Sequence, residues 1–360
     1  MDYIILVYFL LFVSTFFLSY ITNYLLLKLS FNIHRRNESD TIPQERWANF
    51  KPAIGGISFF IVFLASISMM SALSSNQPPL PYLKLLGLIG SCMLGFILGL
   101  SDDAYNTNPL AKFILQLFCG FFLIATDYII KISPVESLNI IFTLIWVIGL
   151  MNSINMLDNM DGITGTISAI AILGMIGIQA VNGSFTLFAS ITLIGVLGGV
   201  LGFMMFNWFP AKIYMGDTGS QFLGAFIAAL SIDLVWGFRP ISYFSKGSLL
   251  GQLLIPALFL FVPIADTTTV TFRRIIKGKS PFIGGKDHIT HHLVYAGLSQ
   301  PTVVLLLCVI QISCTMIGLM LVANVISWTL PNAILCCLAP LLLFICLQFF
   351  YTVGGEKKIG

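Results

Sequence analysis

Asn152-Ser-Ile-Asn155-Met-Leu-Asp158-Asn-Met-Asp161-Gly162 places two carboxamides and two carboxylates at steps of three residues. On a helix, such steps keep neighbouring side chains on one flank, drifting slowly around the axis. Hard oxygen ligands and amide donors in one row suit Mg²⁺ and phosphate. The alternative is a polar helix end at a membrane surface, since Asn and Asp favour such ends.

Four further clusters carry polar chemistry. Gly99-Leu-Ser-Asp102-Asp103 closes an apolar run, so two adjacent carboxylates meet the unfavourable end of a helix dipole. A cation should offset them; Lys112 follows nine residues on, with Gln116 one turn further along the same face. Asn207-Trp-Phe-Pro210-Ala-Lys-Ile-Tyr214-Met-Gly216-Asp217-Thr-Gly219-Ser220 sets Asp217 just ahead of a helix start, where backbone N–H groups can hold an anion and the carboxylate can hold a metal. The same residues also make a good N-cap, and Tyr214 reads as an interface aromatic or as a platform for a base. Lys51-Pro-Ala-Ile-Gly55-Gly56 pairs a cation able to reach phosphate with two glycines that allow close backbone approach; it reads equally as an inner-side Lys before a small-residue packing face. Finally, three of the four His fall within five positions, at His288, His291 and His292 in Phe282-Ile-Gly-Gly-Lys286-Asp287-His288-Ile-Thr-His291-His292. No Cys or HExxH pattern accompanies them, and beside Lys and Arg they suit a diphosphate better than a transition metal.

These clusters need a scaffold, and composition defines it. Of 360 residues, 57% are hydrophobic and 9% charged, against roughly 25% charged in soluble domains. The chain is therefore an integral membrane protein, with nothing suited to nucleic acid. All seven Cys lie in apolar stretches without metal or disulfide spacing. The first apolar run lacks a basic leader and a cleavage site and reads as a retained span.

At about 20 apolar residues per crossing, eleven spans are predicted: 3–29, 54–73, 83–100, 110–130, 138–154, 163–181, 185–206, 220–236, 249–272, 302–325 and 332–352. A count of ten stays open, because the fifth is short and the loop after it tight. The fold class is thus an all-α single polytopic membrane domain over 1–360, with its core at about 51–299 and its longest loops at 30–53 and 275–301. Basic residues split 14 to 4 in favour of one side, which puts the N-terminus outside and the C-terminus in the cytoplasm. On that layout Asp102, Asp103, Asp158, Asp161, Asp217, the amides, the lysines and the His cluster share the inner face. Independent caps would scatter over both faces.

In this order, Asp-Asp followed by Lys and Gln, Asn-x-x-Asn-x-x-Asp-x-x-Asp-Gly, Met-Gly-Asp-x-Gly-Ser and Asp-His-x-x-His-His resemble the polyprenyl-phosphate N-acetylhexosamine-1-phosphate transferase family, over roughly Lys51 to Ser299. The resemblance implies a bacterial inner-membrane enzyme with a cytoplasmic-face site. It would move N-acetylhexosamine-1-phosphate, GlcNAc-1-phosphate above all, from a UDP-sugar to undecaprenyl phosphate, releasing UMP and starting a cell-envelope glycan. It implies Mg²⁺ (or Mn²⁺) held by Asn155 and Asp217, and Asp102, Asp103, Lys112 and Asp158 as catalytic groups. Lys51, Gly55, Gly56, Asn152, Asp161, Asn207, Tyr214, His288, His291 and His292 are implied substrate-binding residues, and a homodimer is compatible with it. Two departures stand out: His288-Ile-Thr-His291-His292 in place of the consecutive His of the pentapeptide-translocase branch, and Asn159 in place of a usual Gly. They favour the GlcNAc branch over phospho-MurNAc-pentapeptide transfer. A transporter of an anionic or lipid-linked sugar is the reading from another class, with Asp266 as its deepest ionisable residue.

Overall fold

The computed structural model describes residues 2–37, 51–73, 81–237, 249–280, 285, 287–326 and 330–359. Most of the loop 30–53, the helix-breaking dipeptides Pro78-Pro79 and Arg239-Pro240 that mark two span junctions in the sequence, and the stretch Phe282–Gly284 with Lys286 lie outside the described residues. The described chain is helical: α1 (Asp2–Asn37), α2 (Gly56–Leu73), α3 (Tyr82–Tyr105), α4 (Pro109–Ala125), α5 (Glu136–Leu157), α6 (Ile163–Asn182), α7 (Leu187–Asn207), α8 (Gly216–Ser231, continued by a π-turn at Ile232–Trp236), α9 (Leu249–Phe259), α10 (Phe261–Ile276), α11 (Ile289–Tyr295), α12 (Gln300–Val322) and α13 (Leu330–Ile359). Eight described helices are long and apolar enough to cross a membrane, or nine if the bent pair α9–α10 is one crossing. The shorter apolar helices Gly56–Met70 and Pro109–Ala125 coincide with the second and fourth predicted spans. The fifth span, short by sequence, is a separate helix of 22 residues.

Breakers in the sequence set the helix ends. Asn108 precedes Pro109 and accepts the Leu110 amide at 2.9 Å, so α4 starts with a cap and a residue that needs no N–H. Ser299 caps α12 in the same way, ahead of Pro301. Asn106 closes α3 in the left-handed region at φ 49°.

The centre of the bundle is α8, whose residues from Thr218 to Ser231 are all buried, packed against α3 and α5. Helix α7 is nearly as enclosed, between α1, α2 and α6. Because consecutive helices alternate in direction, the ends of α3, α5 and α7 meet the starts of α2, α4, α6 and α8. Every polar motif from Lys51 to Ser220 therefore arrives at one end of the bundle. At the far end are Asp127–Lys131, at 3.7 Å, and a Lys84–Asp233 pair beside the buried Tyr128.

The predicted span 249–272 is not one rod. It breaks at Leu260, and α9 and α10 meet at 94°. Pro263 has no N–H for the Phe259 carbonyl, so the helix loses that bond. Gln311 of α12, completely buried, takes over: its Nε2 donates to Phe259 O at 2.9 Å and Leu258 O at 3.2 Å, and its Oε1 accepts from Val262 N at 2.9 Å. One side-chain amide thus supplies the bonds missing from the broken turn. The bend turns α10, with Asp266, Thr267, Thr271 and Arg274, toward the polar end.

Candidate active site

Asp102 occupies the last turn of α3 and is buried. Its Oδ1 accepts the Thr107 amide and hydroxyl, both at 2.8 Å, and its Oδ2 contacts the Lys112 ammonium. Lys112 extends to Asp217 Oδ2 at 3.7 Å. The other oxygen of Asp217 accepts from Asn155 Nδ2 at 2.8 Å, and the same amide donates to Ser220 Oγ at 2.9 Å. Carboxylate, ammonium, carboxylate and carboxamide from α3, α4, α8 and α5 thereby form one contiguous chain. Gly99 permits it: a Cβ there would lie 2.1 Å from Asp217 O, so α3 and the start of α8 touch through backbone.

This chain borders a cavity of about 440 Å³ lined by Lys112, Gln116, Asn152, Asn155, Asp158, Asn159, Gln221, Arg274 and His288 among others. Its amide wall is continuous: Asn152 donates to Gln116 Oε1 at 2.9 Å, and Gln116 donates to Gln221 Oε1 at 3.1 Å. Asp158 follows α5 directly. Burial pushes its carboxyl up to about 7, and repulsion from Asp217, Asp103 and Asp161 adds to the rise.

Asp103, next to Asp102, binds the start of α8. Its two oxygens accept the amides of Asp217 and Thr218, each at 2.9 Å, and the Thr218 hydroxyl at 2.6 Å, so it caps α8 from the neighbouring helix. Asn207 likewise is turned inward: buried, it accepts from Gly162 N at 3.1 Å and donates to Ile213 O at 2.9 Å, holding two loops together. Neither lines the cavity.

Lys51, Asp161 and Tyr214 form a second group. Lys51 lies 3.6 Å from Asp161 Oδ2 and 5.2 Å from the centre of the Tyr214 ring, while Ala211 N donates to Asp161 at 2.8 Å. Partial burial lowers the Lys51 pKa, but Tyr214 and Asp161 outweigh it, so the ammonium ends above its ordinary value. Tyr214 is 38% exposed. The paired glycines stitch this group to α8: Gly55 N donates to Tyr214 O at 3.0 Å and Gly56 N to Met215 O at 2.9 Å. A Cβ on Gly56 would meet Gly219 N at 2.1 Å, which accounts for the small-residue face. Gly216, at φ 74°, makes the turn into α8 that sets Asp217 facing Asn155.

The three His divide. His288 lines the cavity, with its Nδ1 2.8 Å from Asp266. His291 lies against it, ring centres 6.0 Å apart and edge-on. His292 is buried and stacks on Tyr351 of α13 at 3.6 Å, off the cavity. The two departures noted in the sequence meet here, because Thr290 donates to Asn159 Oδ1 at 2.7 Å. The link ties α11 to the loop between α5 and α6.

Four cavity residues were not singled out from sequence. Gln221 sits one turn after Asp217, so its i+4 spacing was a usable signal. Thr267 and Thr271 stand in a polar run inside an apolar span. Arg274 read only as inner-side charge; it grips Asp287 (Nε to Oδ2 2.7 Å), and this pairing holds the Asp287 carboxyl below its ordinary value.

Among the described residues, no three His, Cys, Asp or Glu side chains converge as a metal cage. Mg²⁺ does not need one, since it commonly takes one or two carboxylates and fills the rest with phosphate and water. Asp217, 35% exposed at its side chain, and Asn155 fit that pattern. The Asn155 nitrogen is committed to Asp217 and Ser220, so its oxygen is what remains for a cation.

Residues 85–235 match glycosyl transferase family 4. The chain is 29% identical over 268 residues to a probable undecaprenyl-phosphate N-acetylglucosaminyl 1-phosphate transferase of Bacillus subtilis, covering 72% of this chain and 70% of that one. It is 28% identical over 296 residues to a decaprenyl-phosphate N-acetylglucosaminephosphotransferase of Mycobacterium leprae, covering 76% and 74%. It is 31% identical over 262 residues to a phospho-N-acetylmuramoyl-pentapeptide-transferase of Streptococcus pneumoniae, covering 69% and 75%. With the motifs gathered at one end of a multi-pass helical bundle, these matches place the chain in the polyprenyl-phosphate hexosamine-1-phosphate transferase family.

Proposed function

We propose that this protein transfers N-acetylhexosamine-1-phosphate, most specifically GlcNAc-1-phosphate, from a UDP-sugar to undecaprenyl phosphate on the cytoplasmic face of a bacterial inner membrane. The observation that carries the reading is the Asp102–Lys112–Asp217–Asn155 chain beside a polar cavity. Phosphoryl transfer asks mainly for positioning and charge neutralisation. An oxygen of the lipid phosphate attacks the donor phosphorus that bears the sugar. The bond from that phosphorus to the bridging oxygen breaks, and UMP leaves with the electron pair. The attacking phosphate has its second pKa near ~6, so it needs no strong base at neutral pH. Lys112, held by Asp102, places the attacking oxygen. Asp217 and Asn155 are the proposed holders of Mg²⁺, which when bound neutralises charge on the diphosphate. Lys51, Asp161 and Tyr214 offer a cation and an exposed ring suited to the nucleotide end. All these groups lie within the proposed core 51–299. A transporter needs ionisable groups on a route through the bilayer; Asp266 is instead buried against His288.

Membranes carrying the protein should release UMP from UDP-GlcNAc only when both undecaprenyl phosphate and Mg²⁺ are supplied. Asp217→Ala should abolish release while the protein stays inserted. UMP release independent of lipid phosphate would overturn the reading, and a parallel panel of UDP-GlcNAc, UDP-GalNAc and UDP-MurNAc-pentapeptide assigns the sugar from the lipid product.

A further inference from the structure

We propose that Asp266 is a positioning residue that fixes the ring of His288, so that Nε2 alone is presented to the donor diphosphate. This rests on the transferase reading and adds a residue to it. Asp266 lies within α10 and is buried. Its Oδ2 is 2.8 Å from His288 Nδ1, and its Oδ1 accepts the Ile289 amide at 2.7 Å. Both oxygens are therefore spent on two consecutive residues at the start of α11. Two turns along the same face of α10, Arg274 grips Asp287. Asp287, His288 and Ile289 are held as a unit by a clasp at two points.

The chemistry follows from how an imidazole bonds. A carboxylate can only accept, so Nδ1 carries the proton and Nε2 is the nitrogen left for a ligand. His288 is itself buried but borders the cavity, so a ring free to flip would turn its functional nitrogen away. Carboxylate partners of this kind fix tautomer and ring orientation at metal-ligating and catalytic His. The break at Leu260 is what makes the pairing reachable, because it swings α10 toward the end where α11 begins.

The test uses the full chain in detergent with UDP-GlcNAc and undecaprenyl phosphate, comparing Asp266→Asn, His288→Asn and the double variant. An Asn at 266 offers one acceptor where two N–H groups need one each. An Asn at 288 keeps a donor near Nδ1 for Asp266 while deleting Nε2. Asp266→Asn should lower kcat by about 10–100-fold, the usual loss for an orienting partner. His288→Asn should lose at least as much at an unchanged unfolding temperature, and the double variant should be no worse than His288→Asn. Losses that multiply, full kcat in Asp266→Asn, or full kcat in His288→Asn would each overturn the proposal. Nitrogen-15 spectra of labelled His read the ring directly. The His288 signal, assigned by its loss in His288→Asn, should show Nδ1 protonated in the wild type and a tautomer mixture in Asp266→Asn. A wild-type protein without transferase activity would refute the functional reading, whereas a spectrum with Nδ1 unprotonated would refute the pairing by itself.

Discussion

Gln311→Leu should destabilise this protein, although it replaces an amide by a hydrocarbon in the middle of an apolar bundle. By hydropathy alone the change is favourable for a spanning helix. The structure argues the reverse. Gln311 serves three backbone groups at the α9–α10 break: Leu258 O, Phe259 O and Val262 N. All three residues are buried, and Pro263 cannot substitute for the lost donor. At ~0.6 kcal/mol per hydrogen bond in a membrane interior the loss is about 2 kcal/mol. At ~2 kcal/mol per stranded buried group it is about 6 kcal/mol. A value near ~4 kcal/mol corresponds to a fall in unfolding temperature on the order of 10 °C. Buried free thiols such as Cys92, Cys119, Cys308 and Cys314 allow the measurement, since they react with a thiol dye only on unfolding. Thr315→Val is the control, because Thr315 Oγ1 meets the same amide at 3.1 Å but serves no backbone group at the break. If Gln311→Leu unfolds at or above the wild-type temperature while Thr315→Val matches it, the account of the bend is wrong. Transferase activity should fall as well, since the bend delivers Asp266 and Arg274 to the site.

Three further outcomes are expected. Lys112→Met leaves Asp102 and Asp217 facing each other without their shared cation, and UMP release should fall by about 10²–10³-fold, the cost of deleting one preorganised charge; activity within twofold of wild type would remove Lys112 from the mechanism. The Asp158 carboxyl, raised to about 7, keeps a proton that the unfolded chain releases above about 3.9. Its ionisation therefore costs stability as pH rises from about 4 to about 7, so in EDTA the wild-type unfolding temperature should fall across that window and Asp158→Asn should flatten the slope; parallel slopes would refute the assignment. Gly56→Ala must push backbone apart, because its Cβ would lie 2.1 Å from Gly219 N, and it should lower both thermal stability and activity; an unchanged unfolding temperature would mean the α2–α8 contact is looser than described.

The polar rows were legible in the sequence because their spacing follows the helical repeat and their positions follow the ends of apolar runs. Asp102, Lys112, Asn155 and Asp217 were named from that pattern, and they form one bonded chain. The pattern does not separate Asp103 from Asp102, because adjacent carboxylates look alike in sequence. Their side chains leave a helix about 100° apart, so one meets Lys112 and the other caps α8. Nor does the pattern show that Asn207 bonds buried backbone or that His292 packs on a ring, since a polar residue near a motif does either as readily as it meets a substrate.

What the sequence determined by itself was the solvent and the helical class. Apolar runs of membrane length force helices, since no other open structure satisfies its backbone in lipid. Alternating crossings then bring every second junction to one face. Tertiary structure decided the rest. The bend at Leu260 depends on an amide in α12, some fifty residues on, and the Asp266–His288 pair exists only because of that bend. Hydrogen bonds between distant segments depend on packing angles that no local spacing encodes, so these were visible only in three dimensions.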